Sequence, residues 1–401
     1  MRVGIVHYLL DVKGGGERVC LYLTERLLSK GHQVAIATGS QPGPRAFEFF
    51  QKFDNYYIGH DVPLPFGLYR NMLNYTDALY RMIKEFRPEI VVFTQASSIV
   101  QLQLLKLLNT PALLYCHWPG QISIRQQGRY ATLGNEYDSD EKGEPFFYFR
   151  RLPLWRVFYY TPYTLLLRWA REAFKSVKIV TNSFFTERAV EKLWEVQPDY
   201  VVYPPVDTSY FSPDFEMKQD KLILMVARYS YGKGHPEALQ IMRSLKKDHG
   251  DVKRVMVGSL TPRYHEYFQS IKEMINRYDL GKNVEVKIDI PEEQLLSLYR
   301  QATLLLHPIG TEHFGLSIVE AMGCGTPVIG RKGGGLLEIV EDGQTGLLFR
   351  DLGDASEKIS TLLDDSDLRK RMGFAAYKRS KLFDKEIFKE RMESIIVKKG
   401  A

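Results

Sequence analysis

Short apolar runs alternate with amphipathic helical stretches through both halves of the chain, and this rhythm constrains the fold more than any other feature. Runs rich in Val, Ile and Leu are typical of parallel strands buried on both faces. Strands that alternate with helices favour βαβ units and a parallel sheet. The predicted strands are residues 3–8, 32–38, 90–94, 112–116, 177–181 and 201–206 in the first half, and 222–227, 254–258, 284–288, 304–307, 327–329 and 346–349 in the second.

Two prolines, Pro204 and Pro205, separate the two series of alternating strands and helices and mark a domain boundary. We therefore predict an α/β protein with two Rossmann-like, doubly wound domains. The N-terminal domain comprises residues 1–206 and the C-terminal domain residues 207–380. A last helix within 381–401 is placed to cross back to the N-domain. Residues 120–150 break the pattern and are predicted to form an irregular inserted loop.

Composition excludes several classes of protein. The three cysteines form no C-x-x-C pair, which disfavours a disulfide framework or a zinc site and favours a reducing compartment. The net charge of +6 suits anionic partners such as diphosphates or acidic lipids, but no Lys/Arg block is dense enough to predict nucleic-acid binding. We find no signal-peptide pattern, and the uncharged run 157–167 is too short to span a membrane. The predicted location is cytoplasmic, with a peripheral position at the cytoplasmic membrane face left open.

The string EHFGLSIVEAMGCGTPVIG, residues 312–330, is the strongest functional signal. Glu312 and Glu320 are separated by seven residues, and a helix is predicted to begin near Phe314. Free N–H groups and the helix dipole make such a start an anion site. Eight helical residues rise about 12 Å, which is longer than the roughly 5–9.5 Å between glycosidase carboxylates. The pair is better suited to hold two ends of one extended ligand, although a capping acid beside a solvated helix face gives the same spacing.

A second signal is MVARYSYGKGH, residues 225–235, where Arg228 and Lys233 follow a predicted strand. Ligands of open α/β sheets bind beyond the carboxyl ends of strands. Arg offers a fork for phosphate and Lys a compact charge, so the two cations could neutralise a nucleoside diphosphate. The alternative is a pair of solvated loop cations.

Weaker signals follow strands of the first half. Gly15 and Gly16 belong to a glycine-rich loop that would let backbone approach a ligand, or would form a plain strand-to-helix turn. The loop lacks the G-x-G-x-x-G spacing of dinucleotide-binding proteins. His117 ends another strand and could line the same site or be a structural residue. His7 is a weaker candidate of the same kind.

Two further patterns carry alternatives. Asp138 and Asp140 form a D-x-D pair within the irregular loop, where solvated acids are the better interpretation than a metal site. Asp365 is predicted to cap a helix. Residues 146–178 mix aromatic and basic side chains, which suits either a membrane interface or a buried helix pair with a basic rim.

Taken together, these motifs resemble glycosyltransferase family 4, which has the GT-B fold with a cleft between its domains. EHFGLSIVE is similar to the E-x7-E signature of that family, Arg228 and Lys233 to its basic pair, and KGGGER to its N-domain glycine loop. The strings GGGERV, YCHWPG, VTNSFFTE and PPVD add a likeness to the α-1,2-mannosyltransferase branch of lipid-linked oligosaccharide assembly.

The resemblance implies roles by position. Arg228 and Lys233 would bind the donor diphosphate, Glu320 the ribose hydroxyls and Glu312 the donor sugar. His117 would lie near the reactive face of the sugar. Backbone contacts would come from the segment 314–316 and from the glycine loop. The residues with these implied roles are Arg228, Lys233, Glu312, Phe314, Gly315, Leu316, Glu320, Gly15, Gly16 and His117.

The implied reaction is transfer of a sugar with retention of anomeric configuration, without a metal or other cofactor. The leading interpretation is transfer of mannose from GDP-mannose to a lipid-linked or other glycan acceptor. Alternatives are a retaining enzyme that uses UDP-glucose or another UDP-sugar, a nucleotide-sugar-binding protein without activity, and an NAD(P)-dependent dehydrogenase, against which the glycine spacing speaks.

Overall fold

A computed structural model describes residues 1–10, 12–60, 67–95, 99–119, 171–218 and 221–400. The chain divides into two compact units. The first unit combines Met1–Pro205 with Glu386–Ala401, and the second is Val206–Lys385. The irregular loop, Asp138, Asp140 and the segment 146–170 lie outside the described residues, so the interpretations given to them remain predictions.

The first unit is built on a parallel sheet of seven strands in the order β3-β2-β1-β4-β5-β6-β7. Its strands are β1 (Arg2–Val6), β2 (Gln33–Thr38), β3 (Tyr56–Ile58), β4 (Ile90–Phe93), β5 (Ala112–Cys116), β6 (Val177–Thr181) and β7 (Tyr200–Val201). Its described helices before residue 205 are α1 (Gly15–Ser29), α2 (Glu48–Lys52), α3 (Gly67–Glu85), α4 (Ile99–Leu107) and α5 (Phe184–Trp194).

The second unit is built on a parallel sheet of six strands in the order β10-β9-β8-β11-β12-β13. Its strands are β8 (Leu222–Val226), β9 (Lys253–Gly258), β10 (Val284–Ile288), β11 (Leu304–His307), β12 (Val328–Arg331) and β13 (Gly346–Phe349). Its helices are α6 (His235–Ser244), α7 (His265–Arg277), α8 (Glu292–Gln301), α9 (Leu316–Gly323), α10 (Leu336–Ile339), α11 (Leu352–Asp364) and α12 (Ser366–Ser380), and α13 (Lys385–Gly400) follows them.

Each sheet therefore has the doubly wound order, in which the direction of winding reverses once. The reversal lies between β1 and β4 in the first unit and between β8 and β11 in the second. Helices cover both faces, so the central strands β4, β5 and β11 are buried along their whole length. The crevice outside the carboxyl ends of the strands at such a reversal is the place where doubly wound sheets bind ligands. The fold class predicted from the sequence is confirmed.

The predicted elements differ from the observed ones at a few informative places. The strand predicted over 201–206 is wrong: only Tyr200–Val201 joins the sheet, because Pro204 and Pro205 have no N–H to donate to a ladder. Helix α9 begins at Leu316 instead of Phe314, because Gly315 lies at φ 111° and precedes the helix as its cap.

Sequence reasoning missed α2 and β3, which are both short. The cap at Asp365 is confirmed, since its carboxylate accepts from the N–H groups of Asp367 and Leu368.

The last helix, α13, completes the core of the first unit. Phe388, Met392 and Ile396 recur every four residues on one face and are buried among the side chains of that unit. The ring of Phe388 meets the ring of Tyr115 edge to face at 5.9 Å. No helix in the described ranges is long and apolar enough to cross a membrane.

Replacing Phe388 by Ala should lower the free energy of unfolding of the first unit by about 3–5 kcal/mol, because it opens a cavity in that core. The chain's four tryptophans all precede Pro205 in the sequence, so their fluorescence during urea denaturation follows this unit. The control is Ile387→Ala, which removes a 37% exposed side chain from the same helix. An equal loss in both variants would contradict the packing described for α13.

Candidate functional site

The loop after β8 is held firmly at its start and carries two cations at the reversal point of the second sheet. Tyr229 is buried, and its hydroxyl donates to the carbonyl oxygens of Met256 at 2.8 Å and Lys287 at 3.1 Å. The anchor leaves the side chain of Arg228 exposed on one side. On the other side, Lys233 stands between two glycines that both have φ 76°. This backbone path places both predicted cations beyond the carboxyl end of β8.

Lys233 and Glu312 form an ion pair across the reversal point. The Lys233 Nζ to Glu312 Oε2 distance is 3.0 Å, and both side chains are mostly buried. Burial by itself raises the pKa of Glu312, but the charge of Lys233, together with His307 and His313 when they are protonated, outweighs that effect and lowers its pKa to about 2. Glu312 is therefore an anion at neutral pH. The structure brings together two residues that the sequence predicted for the same ligand.

His307 is the last residue of β11 and belongs to this cluster, although the sequence analysis treated it only as part of a strand. Its Nε2 lies 3.8 Å from Glu312 Oε2. Burial and the charge of Lys233 lower the pKa of His307 to about 4 against the opposing effect of Glu312. The ring is therefore neutral at pH 7. A histidine that ends the strand next to β8 is the signal that could have revealed it.

A second glycine triple, which sequence reasoning missed, supports the loop that carries Glu312. A Cβ at Gly334 would lie 2.4 Å from the carbonyl oxygen of Glu312, and φ is 58° there. The N–H of Gly335 donates to the same carbonyl at 2.8 Å. Gly333 has φ 153°, with a Cβ position 2.3 Å from the carbonyl oxygen of Gly310. The two loops approach so closely that no side chain fits between them, and this contact positions Glu312.

Helix α9 begins beside Glu312 and presents its amino end there. The first N–H groups of a helix have no partner within it and carry a partial positive charge, which suits an anion. Gly315 caps the helix, and Leu316 is its first residue. The ring of Phe314 is buried and meets the ring of Phe383 at 5.6 Å, so this side chain belongs to the core. Of the three residues predicted to contribute here, Phe314 can therefore do so only through its backbone.

Glu320 lies within α9 and is only 6% exposed. The hydroxyl of Tyr299, which comes from α8, donates to Glu320 Oε2 at 2.9 Å. Tyr299 is itself held by its backbone, because its carbonyl accepts from the hydroxyl of Thr326 at 2.6 Å and from Lys218 Nζ at 3.2 Å. Tyr299 thus orients the second carboxylate of the motif, and its position on another helix hid it from a search of the motif alone.

In the first unit, His7 leads a chain of hydrogen bonds at the reversal between β1 and β4. Thr94 donates its hydroxyl to the carbonyl of Val6 at 3.1 Å, so it accepts from His7 Nδ1 at 2.7 Å. Gln95 accepts from the N–H of Tyr8 through Oε1, and its amide nitrogen therefore faces His7 Nε2 at 3.2 Å as a donor. This chain assigns the proton to Nδ1 of His7, which is fully buried and acts as part of the framework.

The glycine loop and His117 meet in the same place. Gly15 is the first residue of α1, and a Cβ on Gly16 would lie 3.6 Å from His7 Cε1 and 3.8 Å from His117 Nε2. His117 follows β5, is partly exposed, and donates from Nε2 to the carbonyl of Thr94 at 3.0 Å. The structure thus brings Gly16 and His117 together within the first unit. Glu17 adds a carboxylate 3.8 Å from His7 Nε2.

The chemistry available in the second unit is electrostatic binding of an anion beside a carboxylate. Lys233, the exposed Arg228 and the amino end of α9 supply positive charge or N–H donors. Within the described part of the chain, no group of three or more His, Cys, Asp or Glu side chains could hold a metal ion.

Comparison with known proteins identifies the class of enzyme. The sequence profile "Glycosyltransferase Family 4" matches residues 13–210, and the profile "Glycosyl transferases group 1" matches residues 209–379. These matches meet next to Val206, where the second unit begins.

Relatives in sequence and in structure agree with the profiles. Human α-1,3/1,6-mannosyltransferase ALG2 is 25% identical over 96% of this chain and 93% of its own length. The GDP-Man:Man(3)GlcNAc(2)-PP-Dol α-1,2-mannosyltransferase of Xenopus laevis is 28% identical over 48% of this chain and 41% of its own length. Sucrose-phosphate synthase from Thermosynechococcus elongatus superimposes with a TM-score of 0.78 at 18% identity, covering 99% of this chain and 98% of that one. The chain therefore belongs to the family 4 glycosyltransferases and has the GT-B fold.

Proposed function

We propose that this glycosyltransferase moves mannose from GDP-mannose to a lipid-linked or other glycan acceptor, with retention of anomeric configuration. The observation that carries the proposal is the Lys233–Glu312 ion pair at the reversal point of the second sheet. A cation for the donor diphosphate and a carboxylate for the donor sugar stand side by side there. The mannosyl donor is suggested by the relatives, whose names specify mannosyltransferases.

The diphosphate binds between the loop after β8 and the amino end of α9. Arg228 offers a planar fork and Lys233 a point charge, and helix N–H groups complete the set of donors. A diphosphate carries more charge than one carboxylate. It therefore competes with Glu312 for Lys233, and Glu312 becomes available to hydroxyl groups of the sugar.

Glu320 holds the ribose in this proposal. A vicinal diol presents two O–H donors, and a carboxylate accepts several hydrogen bonds. Because the hydroxyl of Tyr299 orients one carboxylate oxygen, the carboxylate is positioned before the ligand arrives. Such positioning reduces the entropic cost of ordering the site when the ligand binds.

The chemical step breaks the bond between the anomeric carbon and the diphosphate oxygen. The electron pair of that bond stays on the diphosphate, whose charge grows, and the acceptor hydroxyl attacks from the same face of the sugar. Its proton passes to the departing phosphate oxygen. Lys233, Arg228 and the helix amino end stabilise the growing charge by preorganised electrostatics, so the proposal needs no divalent metal.

The residues of the first unit keep the roles that the family implies. His117 is proposed to lie near the reactive face of the sugar, with Gly15 and Gly16 next to the diphosphate and the acceptor. A retaining enzyme that uses a UDP-sugar and a nucleotide-sugar-binding protein without turnover are the competing functions. The donor assay below separates all three.

A panel of nucleotide sugars offered with a mannosylated lipid-diphosphate acceptor should give product with GDP-mannose only, and the new linkage should be α, as in the donor. Product mass and the anomeric coupling seen by NMR measure both points. Turnover with UDP-glucose alone would assign the competing donor, and binding without product from any donor would leave a binding protein. A β linkage would contradict retention.

Replacing Lys233 by Ala should lower kcat by about a hundredfold, because it removes a charge that stabilises the leaving diphosphate. The control is Lys221→Ala, which removes a half-exposed lysine at the amino end of β8 that pairs with Asp251. Steady-state kinetics with the preferred donor checks both variants. Wild-type kcat in the Lys233 variant would remove this residue from the site.

The low pKa of Glu312 predicts a pH dependence of stability. The pKa of Glu312 is about 2 in the folded protein and 4.5 in the unfolded chain. Its contribution to the free energy of unfolding is therefore complete above pH 4.5 and is lost as the pH falls towards 2. The contribution is at most about 3 kcal/mol. The free energy of unfolding should therefore fall less over this pH range in Glu312→Gln than in the wild type, as urea denaturation followed by circular dichroism would show. Glu285→Gln, at an exposed carboxylate, should behave like the wild type.

A further inference from the structure

His307 stands out because one of its ring nitrogens lacks a partner at the centre of the proposed donor site. The residue is 5% exposed, and its Nε2 has no hydrogen-bond partner in the part of the chain that the structure describes. Glu312 Oε2 lies 3.8 Å from this nitrogen, which is beyond hydrogen-bonding distance. Buried polar atoms are nearly always hydrogen-bonded, so an exception calls for a ligand or a catalytic role.

The surrounding charges restrict what can bind between His307 and Glu312. The carboxylate of Glu312 repels an anion, and Lys233 Nζ, 3.0 Å from that carboxylate, repels a cation. A neutral hydroxyl meets neither penalty. It can donate its one proton to the carboxylate while its oxygen accepts from the Nε2–H of the imidazole. The gap of 3.8 Å allows a single oxygen atom to reach both groups at about 2.8 Å.

We propose that His307 is a sugar-binding residue that, together with Glu312, holds one hydroxyl group of the donor sugar. This inference rests on the proposed function, because it takes the ligand to be a nucleotide sugar. It assigns His307 to the transferred sugar and not to the diphosphate, which lies with Lys233 and Arg228. His307 therefore contributes to the choice of sugar and leaves the affinity for the nucleoside diphosphate unaffected.

The test compares two ligands that differ only in the sugar. Calorimetric titration with GDP and with GDP-mannose gives Kd values for the wild type, for His307→Asn and for the control His249→Asn. His249 is another buried histidine of this unit, but it precedes β9 and lies at the opposite, amino end of the sheet. In His307→Asn the Kd for GDP-mannose should rise about tenfold, while the Kd for GDP stays within a factor of two of the wild-type value.

Deoxy-mannose analogues of GDP-mannose then identify the hydroxyl group. One analogue should bind the wild type about tenfold more weakly than GDP-mannose does, and His307→Asn should distinguish the two less than the wild type does, because only the contact with Glu312 remains. His249→Asn should keep the wild-type discrimination.

Three results would overturn the inference. Equal weakening of GDP and GDP-mannose in His307→Asn would show that the residue only supports the fold of the loop. An unchanged Kd for GDP-mannose would remove His307 from the sugar site. If the wild-type protein binds neither ligand, nor any other nucleoside diphosphate and its sugar, the proposed function itself fails, and that result differs from the first two. If another nucleotide pair binds, the same ratio is measured with that pair.

Discussion

The site depends on one mostly buried pair of opposite charges, Lys233 and Glu312. Neither charge is stable alone in this environment, since burial of an isolated carboxylate or ammonium group is costly. Each is therefore stabilised by the other. The pair also couples two loops that follow adjacent strands, because Lys233 comes from the loop after β8 and Glu312 from the loop after β11. In the proposed function, the diphosphate would meet charges that the fold has already brought together.

The same arrangement of strands serves two different purposes in the two units. At the reversal of the second sheet, charged side chains gather: an exposed arginine, a lysine and a carboxylate. At the reversal of the first sheet, polar groups are joined by hydrogen bonds, with His7, Thr94 and Gln95 forming a framework beside Gly16 and His117. Cationic side chains suit a diphosphate, while a hydrogen-bonded network of polar side chains suits hydroxyl-rich ligands. The topology supplies the location, and the side chains supply the chemistry.

Much of the fold, and part of the candidate site, could be predicted because local sequence patterns indicate local structure. Strands β5, β6, β10, β11 and β13 were predicted with their observed bounds, since short runs rich in Val, Ile and Leu between polar or turn residues indicate strands. The roles of Glu312 and Lys233 were suggested by motifs in single loops. Tyr299, His307 and Gly333 to Gly335 were not found, because their importance comes from neighbours distant in sequence. In the sequence alone, three consecutive glycines indicate only a turn. Their role in supporting the loop of Glu312 is visible only when the carbonyl oxygens packed against them are known.

The position of α13 has a consequence for how the protein emerges from the ribosome. The second unit is one continuous stretch of chain, Val206–Lys385, and all its strands are available once that stretch has been made. The first unit begins earlier but cannot close its core until Phe388, Met392 and Ile396 have been synthesised. Domains usually mature in the order of synthesis. Here the last apolar side chains of the amino-terminal core are made only after the whole of the second unit.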